Sequence, residues 1–589
     1  MTTTDGPPDG NGSMETLDKQ IRDRLAESVF NATDRLDRSV LGRADQVSLM
    51  PALSRMSAFW ALHPVEAAKG FGKYYERAFQ ASVAAAARSM GADVAGPVEP
   101  VKDKRFADPA WKDNPYFWWV QQQYLLLNEA AEAMVEDADI SDADRMKAAF
   151  TTRVMLDALA PTNFAASNPA VLKRTMETGG ASLARGMQTF MQDLATNEGQ
   201  PHQVAQGVHE VGRDLAVTPG KVVFRNEIME LIQYTPTTGT VHEIPLLFSP
   251  PWINKYYIVD LSPGRSLVEW AVSHGHTVFL ISYRNPDESM RNVRLDDYLL
   301  SGPMIALDVI ADITGSETVN LLGVCLGGTL TMATLAYLNA TGAADRIHSA
   351  TFLNTMTDFS KPGALGVFTD ENTVAKLERT MAKTGFLKGD EMRKTFDYLR
   401  GNDLIWNYVV NNWLLGQDPP AFDLLTWNAD STRMPADMHS FYLRSCYLEN
   451  QLAQGKMELA GQHLDMSRVD QDLYFLAAEQ DHIAPWRSSY IGARLPSGDV
   501  RFVLSNSGHI AGIVNPPNPK SRHYVGATPE LPEDPEEWFA TATMHPVTWW
   551  EDWANWIEKR GGDQRTPPPL GSEKFPVLGD APGTYVFGK

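Results

Sequence analysis

Gly323-Val324-Cys325-Leu326-Gly327-Gly328 carries the strongest indication of the fold in this chain. Its spacing is that of the motif G-x-S-x-G, with a cysteine where serine is usual. A mostly apolar run, Val319 to Val324, precedes it, and a run compatible with a helix, Thr329 to Leu338, follows it. This order predicts a buried strand, a sharp turn and a helix, with glycines where the turn leaves no room for a Cβ atom. We therefore interpret Cys325 as a nucleophile raised above the edge of an α/β-hydrolase sheet.

A cysteine at this position favours chemistry on thioesters. A thiolate exchanges with the sulfur of an acyl thioester, and the acyl group stays activated for a later transfer. Two other interpretations of the same stretch exist. Cysteine is often only a small buried apolar residue, and the run from Val319 to Leu338 is apolar enough to suggest a weak membrane-spanning segment. Glycines, Asn320 and three threonines interrupt that run, which argues against the membrane.

Two partners for Cys325 follow it in the order nucleophile, acid, histidine. The segments Leu473 to Ala478 and Val500 to Leu504 are short and apolar, which predicts buried strands, and a polar loop follows each of them. Asp481 lies on the first loop and His509 on the second, where catalytic groups of a parallel sheet are expected. We predict that His509 is the general base and that Asp481 orients it.

Further groups complete the predicted site. His482 directly follows the acid, so we expect it to shape the loop or to contact substrate rather than to act as the base. The backbone N–H of Leu326 should form one half of an oxyanion hole. The other half is expected from the loop 249–255, in which the prolines have no N–H to donate. Trp252 or Ile253 is therefore the predicted donor; we assign Ile253 to the oxyanion hole and Trp252 to substrate binding.

Several blocks of sequence together resemble the class I poly(3-hydroxyalkanoate) synthases over nearly the whole chain. The matching blocks are DPAW at 108–111, NP at 114–115, PTNF at 161–164, NP at 168–169, PPWINKYY at 250–257, GVCLGGT at 323–329, NDLIWNY at 402–408, DHIAPW at 481–486 and SGHIAG at 507–512. One departure is Gly401, where the family usually has proline after Arg400.

The resemblance implies an enzyme that polymerises (R)-3-hydroxyacyl-CoA into polyester and releases CoA, without a cofactor. It implies Cys325, Asp481 and His509 as the triad, and it places Arg400 in a lid beside the substrate channel, where it would bind the anionic substrate. It also implies short acyl chains such as 3-hydroxybutyryl, an active homodimer, a cytoplasmic location at the surface of polyester granules, and phasins as possible granule partners.

Two other functions fit the same residues. A thioesterase or an intracellular polyester depolymerase would use the same triad with water as the acceptor; the cysteine and a large lid disfavour that function. A non-catalytic granule-associated protein could have kept the hydrolase fold, although the intact order of the triad argues against it. Free acid rather than polymer as the main product would favour the thioesterase or depolymerase. Failure of Cys325 to be acylated by a thioester would favour the non-catalytic protein.

Composition narrows the class of protein. The chain has 589 residues, 43% of them hydrophobic, and a net charge of −21. That charge argues against a nucleic-acid partner, which needs a concentrated basic surface. Two cysteines, Cys325 and Cys446, form no disulfide framework and exclude an ordinary structural zinc site, so we expect no metal. Local positive charge for CoA would come from residues such as Lys255, Arg284, Arg291 and Arg400.

The pattern along the chain predicts its organisation. Residues 1–13 are polar and predict a disordered tail without a signal peptide. Residues 14–205 predict a helical domain, and the family resemblance implies that this domain serves granule or partner targeting and dimer support. Residues 206–589 alternate strand and helix patterns, which predicts an α/β-hydrolase domain with a lid inserted at about 357–467. A lid has a purpose here, since water must be kept from an acyl-cysteine.

The segment Tyr116 to Leu127 is unusually apolar and has two interpretations. The favoured one is a helix packed against a neighbour, because apolar residues at helical spacing usually belong to a core. The other is a surface that meets the hydrophobic granule.

Overall fold

The computed structural model describes residues 49–99 and 102–588, so the predicted tail 1–13 lies outside the described residues. The chain divides into two compact units. The helical unit contains the described residues up to Gln203 together with 401–419. The sheet unit contains 204–400 and 420–588. The predicted insertion 357–467 is therefore divided, because its stretch 401–419 clusters with the helical unit.

The helical unit is built around aromatic side chains from several helices. Trp111, Tyr124 and Leu126 are buried together with Ala81. The apolar segment 116–127 contributes three of its buried side chains to that helix packing, while Tyr116 is exposed at 56%. The helices of this unit are Leu49–Leu62, Pro64–Ser89, Ala110–Asp113, Pro115–Glu136, Asp142–Ala158, Pro169–Glu177 and Ala181–Thr196, with 3-10 turns at Lys104–Phe106 and Pro161–Asn163.

Residues 401–419 belong to the helical unit through specific polar contacts. This stretch has π-helical turns at Asn402–Trp406 and Val409–Leu414. Asn402 accepts a hydrogen bond from Arg105 at 3.0 Å and donates one to Asp157 at 2.6 Å. The Trp413 indole N–H donates to Asp193 at 2.7 Å. Because Asp193 is buried and Arg105 and Asp157 are half-buried, breaking these contacts would leave polar groups poorly satisfied.

One large mixed sheet organises the sheet unit. Its strands are β1 Gly220–Arg225, β2 Met229–Tyr234, β3 Leu246–Ser249, β4 Val278–Tyr283, β5 Val319–Val324, β6 Ile347–Leu353, β7 Asp472–Ala478, β8 Val500–Ser505, β9 His523–Val525, β10 Thr543–His545 and β11 Gly579–Asp580. Their order in the sheet is β10-β9-β8-β7-β6-β5-β3-β4-β2-β1-β11. The neighbouring strands β8, β7, β6, β5, β3 and β4 run parallel to one another.

Helices cover both faces of this sheet. The central strands read as continuous apolar runs because they are buried on both faces, and β4 and β5 have no exposed position. The helices of this unit are Leu267–Ser273, Leu295–Leu299, Ile305–Thr314, Leu326–Thr341, Glu371–Thr384, Gly389–Leu399, Asp423–Ala429, Ala436–Tyr442, Trp486–Ala493, His509–Ile513, Pro535–Thr541 and Trp549–Glu558.

Several short elements complete the sheet unit. Two-residue strands pair as Val241–His242 with Gln564–Arg565, Phe386–Leu387 with Met434–Pro435, and Glu458–Leu459 with Gln462–His463. π-helical turns lie at Leu300–Met304 and Leu443–Leu448. The 3-10 turns are Tyr256–Ile258, Glu288–Met290, Ala344–Arg346, Gly363–Phe368, Met466–Arg468 and Tyr585–Phe587. Parallel register brings the carboxyl ends of β3, β5, β6, β7 and β8 to one edge, where the predicted site residues lie.

His439 should make the sheet unit sensitive to acid. Its ring is buried, and Nδ1 has no hydrogen-bond partner among the residues that the structure describes. Burial lowers the pKa of this histidine to about 4. The unfolded chain binds the proton near pH 6.5, so stability is lost as the pH falls from 6.5 toward 4. Between pH 7 and pH 4 we expect wild type to lose about 3 kcal/mol more stability than His439→Leu.

Urea unfolding at pH 7, 5.5 and 4 would measure that difference. His463→Leu is the control, because the His463 side chain is 76% exposed. Equal acid sensitivity of wild type and His439→Leu would contradict the prediction.

Candidate active site

Cys325 occupies a strained turn between β5 and the helix Leu326–Thr341, which we call the elbow helix. Its backbone has φ +50° and ψ −118°, a conformation that costs a non-glycine residue about 1–3 kcal/mol. The N–H of Cys325 donates to the carbonyl of Leu353 on β6 at 2.9 Å, which holds the turn against the sheet. The thiol is partly exposed. The arrangement raises a sulfur atom above the carboxyl edge of the sheet.

The glycines of the turn are required by close packing. A Cβ atom on Gly327 would lie 2.1 Å from the carbonyl oxygen of Ser249, at the end of β3. A Cβ atom on Gly328 would lie 2.0 Å from Oγ1 of Thr355. The start of the elbow helix therefore lies directly against the loop that follows β3.

Gly327→Ala is expected to lower the stability of the sheet unit by about 2–3 kcal/mol, because the new methyl group meets backbone that has little room to move. Gly239→Ala is the matched control, since a Cβ there has no atom within 4 Å, and it should change stability by less than about 0.5 kcal/mol. Urea unfolding of both variants measures the difference. Equal stability of the two variants would contradict the required close approach.

His509 and Asp481 are in direct contact. Nδ1 of His509 lies 2.6 Å from Oδ2 of Asp481, and both side chains are buried. The other carboxylate oxygen of Asp481 accepts the N–H groups of Ile483 at 2.8 Å and Ala484 at 2.9 Å. Both oxygens of Asp481 are thus engaged, so the carboxylate has a single orientation. The loops after β7 and β8 meet because these strands are parallel neighbours.

The environment of His509 favours its protonated form. Burial alone would lower the pKa of the imidazole. The Asp481 carboxylate and the Cys325 sulfur, both hydrogen-bonded to the ring, raise this pKa, and the net result is a pKa well above the usual range. The structure thus brings Cys325, His509 and Asp481 together in the predicted order. The arrangement places an imidazole, oriented by a carboxylate, beside a thiol, as nucleophilic catalysis by cysteine requires.

One predicted oxyanion donor, Leu326, directly follows the nucleophile in the chain. Leu326 begins the elbow helix, so its N–H has no intrahelical acceptor. Ile253 lies in the loop that starts at Ser249, whose carbonyl packs on Gly327. Trp252 is 1% exposed and stacks on Tyr298 at 4.5 Å, so its ring is part of the core. Its assignment to substrate binding stays a prediction.

Arg400 lies beside the histidine loop. It follows the helix Gly389–Leu399, and its Nη1 lies 3.5 Å from the position of a Cβ on Gly508, the neighbour of His509. Arg400 is an exposed residue. His482 is half-buried, and its carbonyl faces Gly363. Arg400 thus lies near the loop of His509, and His482 lies on the loop of Asp481; their role in substrate binding stays a prediction.

The other predicted cations differ in their surroundings. Lys255 is buried, and its ammonium donates to the carbonyl of Gly588 at 2.5 Å. Arg284 pairs with Asp287, and Arg291 pairs with Glu288. Of the four cations named from the sequence, Arg400 is thus the one whose side chain contacts the loop that carries His509.

Sequence reasoning missed three neighbours of the site. The amide of Asn354, which follows β6 at φ +45°, donates to the carbonyl of His509. Tyr442 and Tyr447 lie near the Cys325 sulfur. Burial is the main cause that raises the pKa of both phenols, and the nearby sulfur raises it further. Asn354 had a detectable signal, since it is a polar residue at the end of a buried strand beside the elbow. The two tyrosines had none, because they come from a distant helical segment.

Neither a metal nor a membrane span is indicated. Within residues 49–99 and 102–588, no three His, Cys, Asp or Glu side chains converge so as to hold a metal ion. In the same part of the chain, no helix has the length and apolar character needed to cross a membrane.

Two family models match consecutive stretches of the chain. Residues 102–271 match the family described as the N-terminus of poly-beta-hydroxybutyrate polymerase. Residues 263–516 match the α/β-hydrolase fold. Among solved structures, a hydrolase from Pseudomonas aeruginosa PA01 aligns over 49% of this chain and 90% of its own at 16% identity and a TM-score of 0.32. That likeness is weak, so the fold assignment depends on the strand order and the family match.

Characterised relatives align over most of the chain. The poly(3-hydroxyalkanoate) polymerase of Methylorubrum extorquens is 46% identical over 551 residues, which cover 92% of this chain and 91% of that protein. The poly(3-hydroxyalkanoate) polymerase subunit PhaC of Rhizobium meliloti (strain 1021) is 42% identical over 549 residues, 92% of this chain and 89% of that one. The corresponding subunit of Cupriavidus necator is 42% identical over 501 residues, with 83% and 84% covered.

Proposed function

The chain belongs to the poly(3-hydroxyalkanoate) polymerase family, and from that premise we propose that it polymerises (R)-3-hydroxyacyl-CoA and releases CoA through an acyl-cysteine on Cys325. The observation that carries the proposal is the 2.6 Å contact of His509 with Asp481 beside a cysteine elbow. An acyltransferase of this class needs a nucleophile, a base and an orienting acid, and these three side chains supply them.

The first step loads the acyl group. His509 takes the thiol proton of Cys325, and the thiolate attacks the carbonyl carbon of the thioester. The resulting oxyanion binds the N–H of Leu326 and that of Ile253. The bond between that carbon and the CoA sulfur then breaks, and CoA leaves with the proton from His509. Asp481 stabilises the imidazolium while it exists.

The second step forms the ester. His509 removes the proton from the 3-hydroxyl of an acyl unit, and the oxygen attacks an acyl thioester. The carbon–sulfur bond breaks, and the sulfur leaves as a thiol that takes the proton from His509. Each cycle thus converts one thioester into one ester and frees one CoA.

Several finer features belong to the same proposal. Short acyl chains, an active homodimer and a cytoplasmic location at granule surfaces with phasins as partners follow from the family resemblance. The region 14–205 would target the granule, and residues 206–589 would form the catalytic domain with its lid. Exposed aromatic side chains on the helix Pro64–Ser89, Tyr75 at 67% and Phe79 at 70%, support contact with an apolar surface.

Incubation with (R)-3-hydroxybutyryl-CoA tests the function, with free thiol, turbidity and free acid followed together. CoA release with rising turbidity and little free acid is the expected result. Release of CoA with stoichiometric 3-hydroxybutyrate would mean a thioesterase instead. Absence of release with both short and longer acyl chains, after a long incubation, would overturn the proposal.

We further propose that Arg400 and His482 bind substrate, with Arg400 meeting the anionic CoA portion. Arg400→Gln should raise KM for the CoA thioester about tenfold and leave kcat within about twofold, because a charge-assisted contact contributes roughly 1.5 kcal/mol. The wild-type KM should also rise more steeply with salt than that of the variant.

Arg494→Gln is the control for this substitution. Arg494 is likewise exposed in the sheet unit and donates to the carbonyl of Leu531. Steady-state kinetics at low and high salt compare the three proteins. An unchanged KM for Arg400→Gln would remove Arg400 from substrate binding.

A further inference from the structure

A buried ammonium group lies in the loop 250–255, beside the nucleophile elbow. Lys255 is 3% exposed, and its Nζ donates to the carbonyl of Gly588 at 2.5 Å. A buried charge is costly unless it is paired and hydrogen-bonded, so an unassigned buried lysine needs a physical reason. The Lys255 ammonium is hydrogen-bonded to Gly588, at the end of the segment 579–588, so it does not supply a positive charge for CoA as the sequence suggested.

Gly588 is held at the same carbonyl by a second donor. The Asn285 amide also donates to that oxygen, at 3.2 Å, and the Asn285 carbonyl accepts the N–H of Arg433 at 2.9 Å. Two donors on one backbone carbonyl define its position in two directions. The end of the 579–588 segment is thus tied to the loop after β3 and to the residues after β4.

The rest of the 579–588 segment is itself firmly anchored. Its first residues pair with β1 as strand β11. The N–H groups of Thr584 and Tyr585 donate to the Glu230 carboxylate at 2.8 and 2.9 Å, and Val586 is buried in the core. Because Glu230 is fully buried and also pairs with Arg225, this anchor is rigid.

The loop 250–255 is held by contacts along its length, and one of these is with the elbow. The carbonyl of Lys255 accepts the Trp427 indole N–H at 2.8 Å, and that of Trp252 accepts the Thr432 hydroxyl at 2.7 Å. At its other end, Pro250 lies 2.7 Å from the position of a Cβ on Gly327. A displacement of Lys255 would therefore shift the backbone of the same short loop, including the N–H of Ile253 that the proposed function assigns to the oxyanion.

We propose that Lys255 and the Gly588 carbonyl form a clamp that positions the loop 250–255 for stabilising the oxyanion, so that Lys255 is a positioning residue and residues 579–588 are part of the active enzyme. The inference rests on the proposed function in one respect, the use of this loop in acyl transfer. An oxyanion donor must sit within a few tenths of an ångström of its place to be effective, and losing one costs about 10²–10³ in rate.

The test compares acylation of Cys325 with its alkylation. Acylation by (R)-3-hydroxybutyryl-CoA needs the oxyanion hole, whereas alkylation by iodoacetamide is a displacement at carbon that forms no oxyanion. In Lys255→Met, and in a chain shortened after Phe587, we expect acylation to slow about 10–100-fold and alkylation to stay within about twofold. The double variant should be no slower than either single variant, because both break the same contact.

Lys221→Met is the matched control. Lys221 also holds the 579–588 segment, through its pair with Asp580, but at the exposed edge of the sheet. It should acylate like wild type. Unchanged acylation in Lys255→Met, equal loss of acylation and alkylation, or additive effects in the double variant would overturn the clamp.

Amide hydrogen exchange keeps this inference separate from the proposed function. Peptides covering 250–255 should exchange at least about fivefold faster in Lys255→Met and in the shortened chain than in wild type and Lys221→Met. If wild type were not acylated at all, the proposed function would fail, while faster exchange would still support the clamp and unchanged exchange would refute it.

Discussion

Replacing Cys325 by alanine is expected to reduce polymer formation from (R)-3-hydroxybutyryl-CoA by at least about 10⁴-fold, while the fold persists. Cys325 is partly exposed at the elbow, and its thiol is hydrogen-bonded to the ring of His509. No other cysteine among the described residues can replace it, because Cys446 is fully buried. Loss of the sulfur removes the atom that would carry the acyl group. CoA release and turbidity, measured on equal amounts of folded protein, give the rate.

Cys446→Ala is the control for this substitution. Burial raises the pKa of the Cys446 thiol well above its usual range, so it forms little thiolate, and its removal should leave the rate within a few-fold of wild type. Mass spectrometry after a short incubation should find the acyl adduct in Cys446→Ala and none in Cys325→Ala. Polymer formation by Cys325→Ala at a near-normal rate would sink the assignment of the nucleophile.

Asp481→Asn is expected to slow polymer formation about 10³–10⁴-fold with little change in structure. The reason lies in the two N–H groups of Ile483 and Ala484, which donate to one side-chain oxygen at position 481. An asparagine would turn its carbonyl oxygen toward those donors and its NH₂ toward Nδ1 of His509. The imidazole would then carry its proton on Nε2 and could not accept one from Cys325.

Asp308→Asn serves as the control, since Asp308 is an exposed carboxylate on the helix Ile305–Thr314 that pairs with Arg346. Its rate should match that of wild type. Circular dichroism and urea unfolding would establish that both variants are folded, and NMR of the His509 ring nitrogens would report the tautomer. A rate for Asp481→Asn within tenfold of wild type would remove Asp481 from the triad.

The sheet could be predicted from the sequence with small errors at strand ends. Apolar runs predicted strands at Leu473 to Ala478 and Val500 to Leu504, and the structure has β7 at Asp472–Ala478 and β8 at Val500–Ser505. Cys325 leaves the strand because its φ of +50° breaks the extended backbone. Hydrophobic pattern reports burial, whereas the last residue of a strand depends on turn geometry.

The strand-turn-helix around Cys325, the order of Asp481 and His509, and the parallel sheet can be predicted from the amino-acid sequence, because they depend on local pattern and chain order. The packing of 401–419 with the helical unit and the contact of Lys255 with Gly588 are visible in the folded chain alone. Contacts between segments distant in the chain depend on which surfaces the fold brings together. Neither a charge nor an aromatic residue reveals, in the sequence alone, which distant group it will meet.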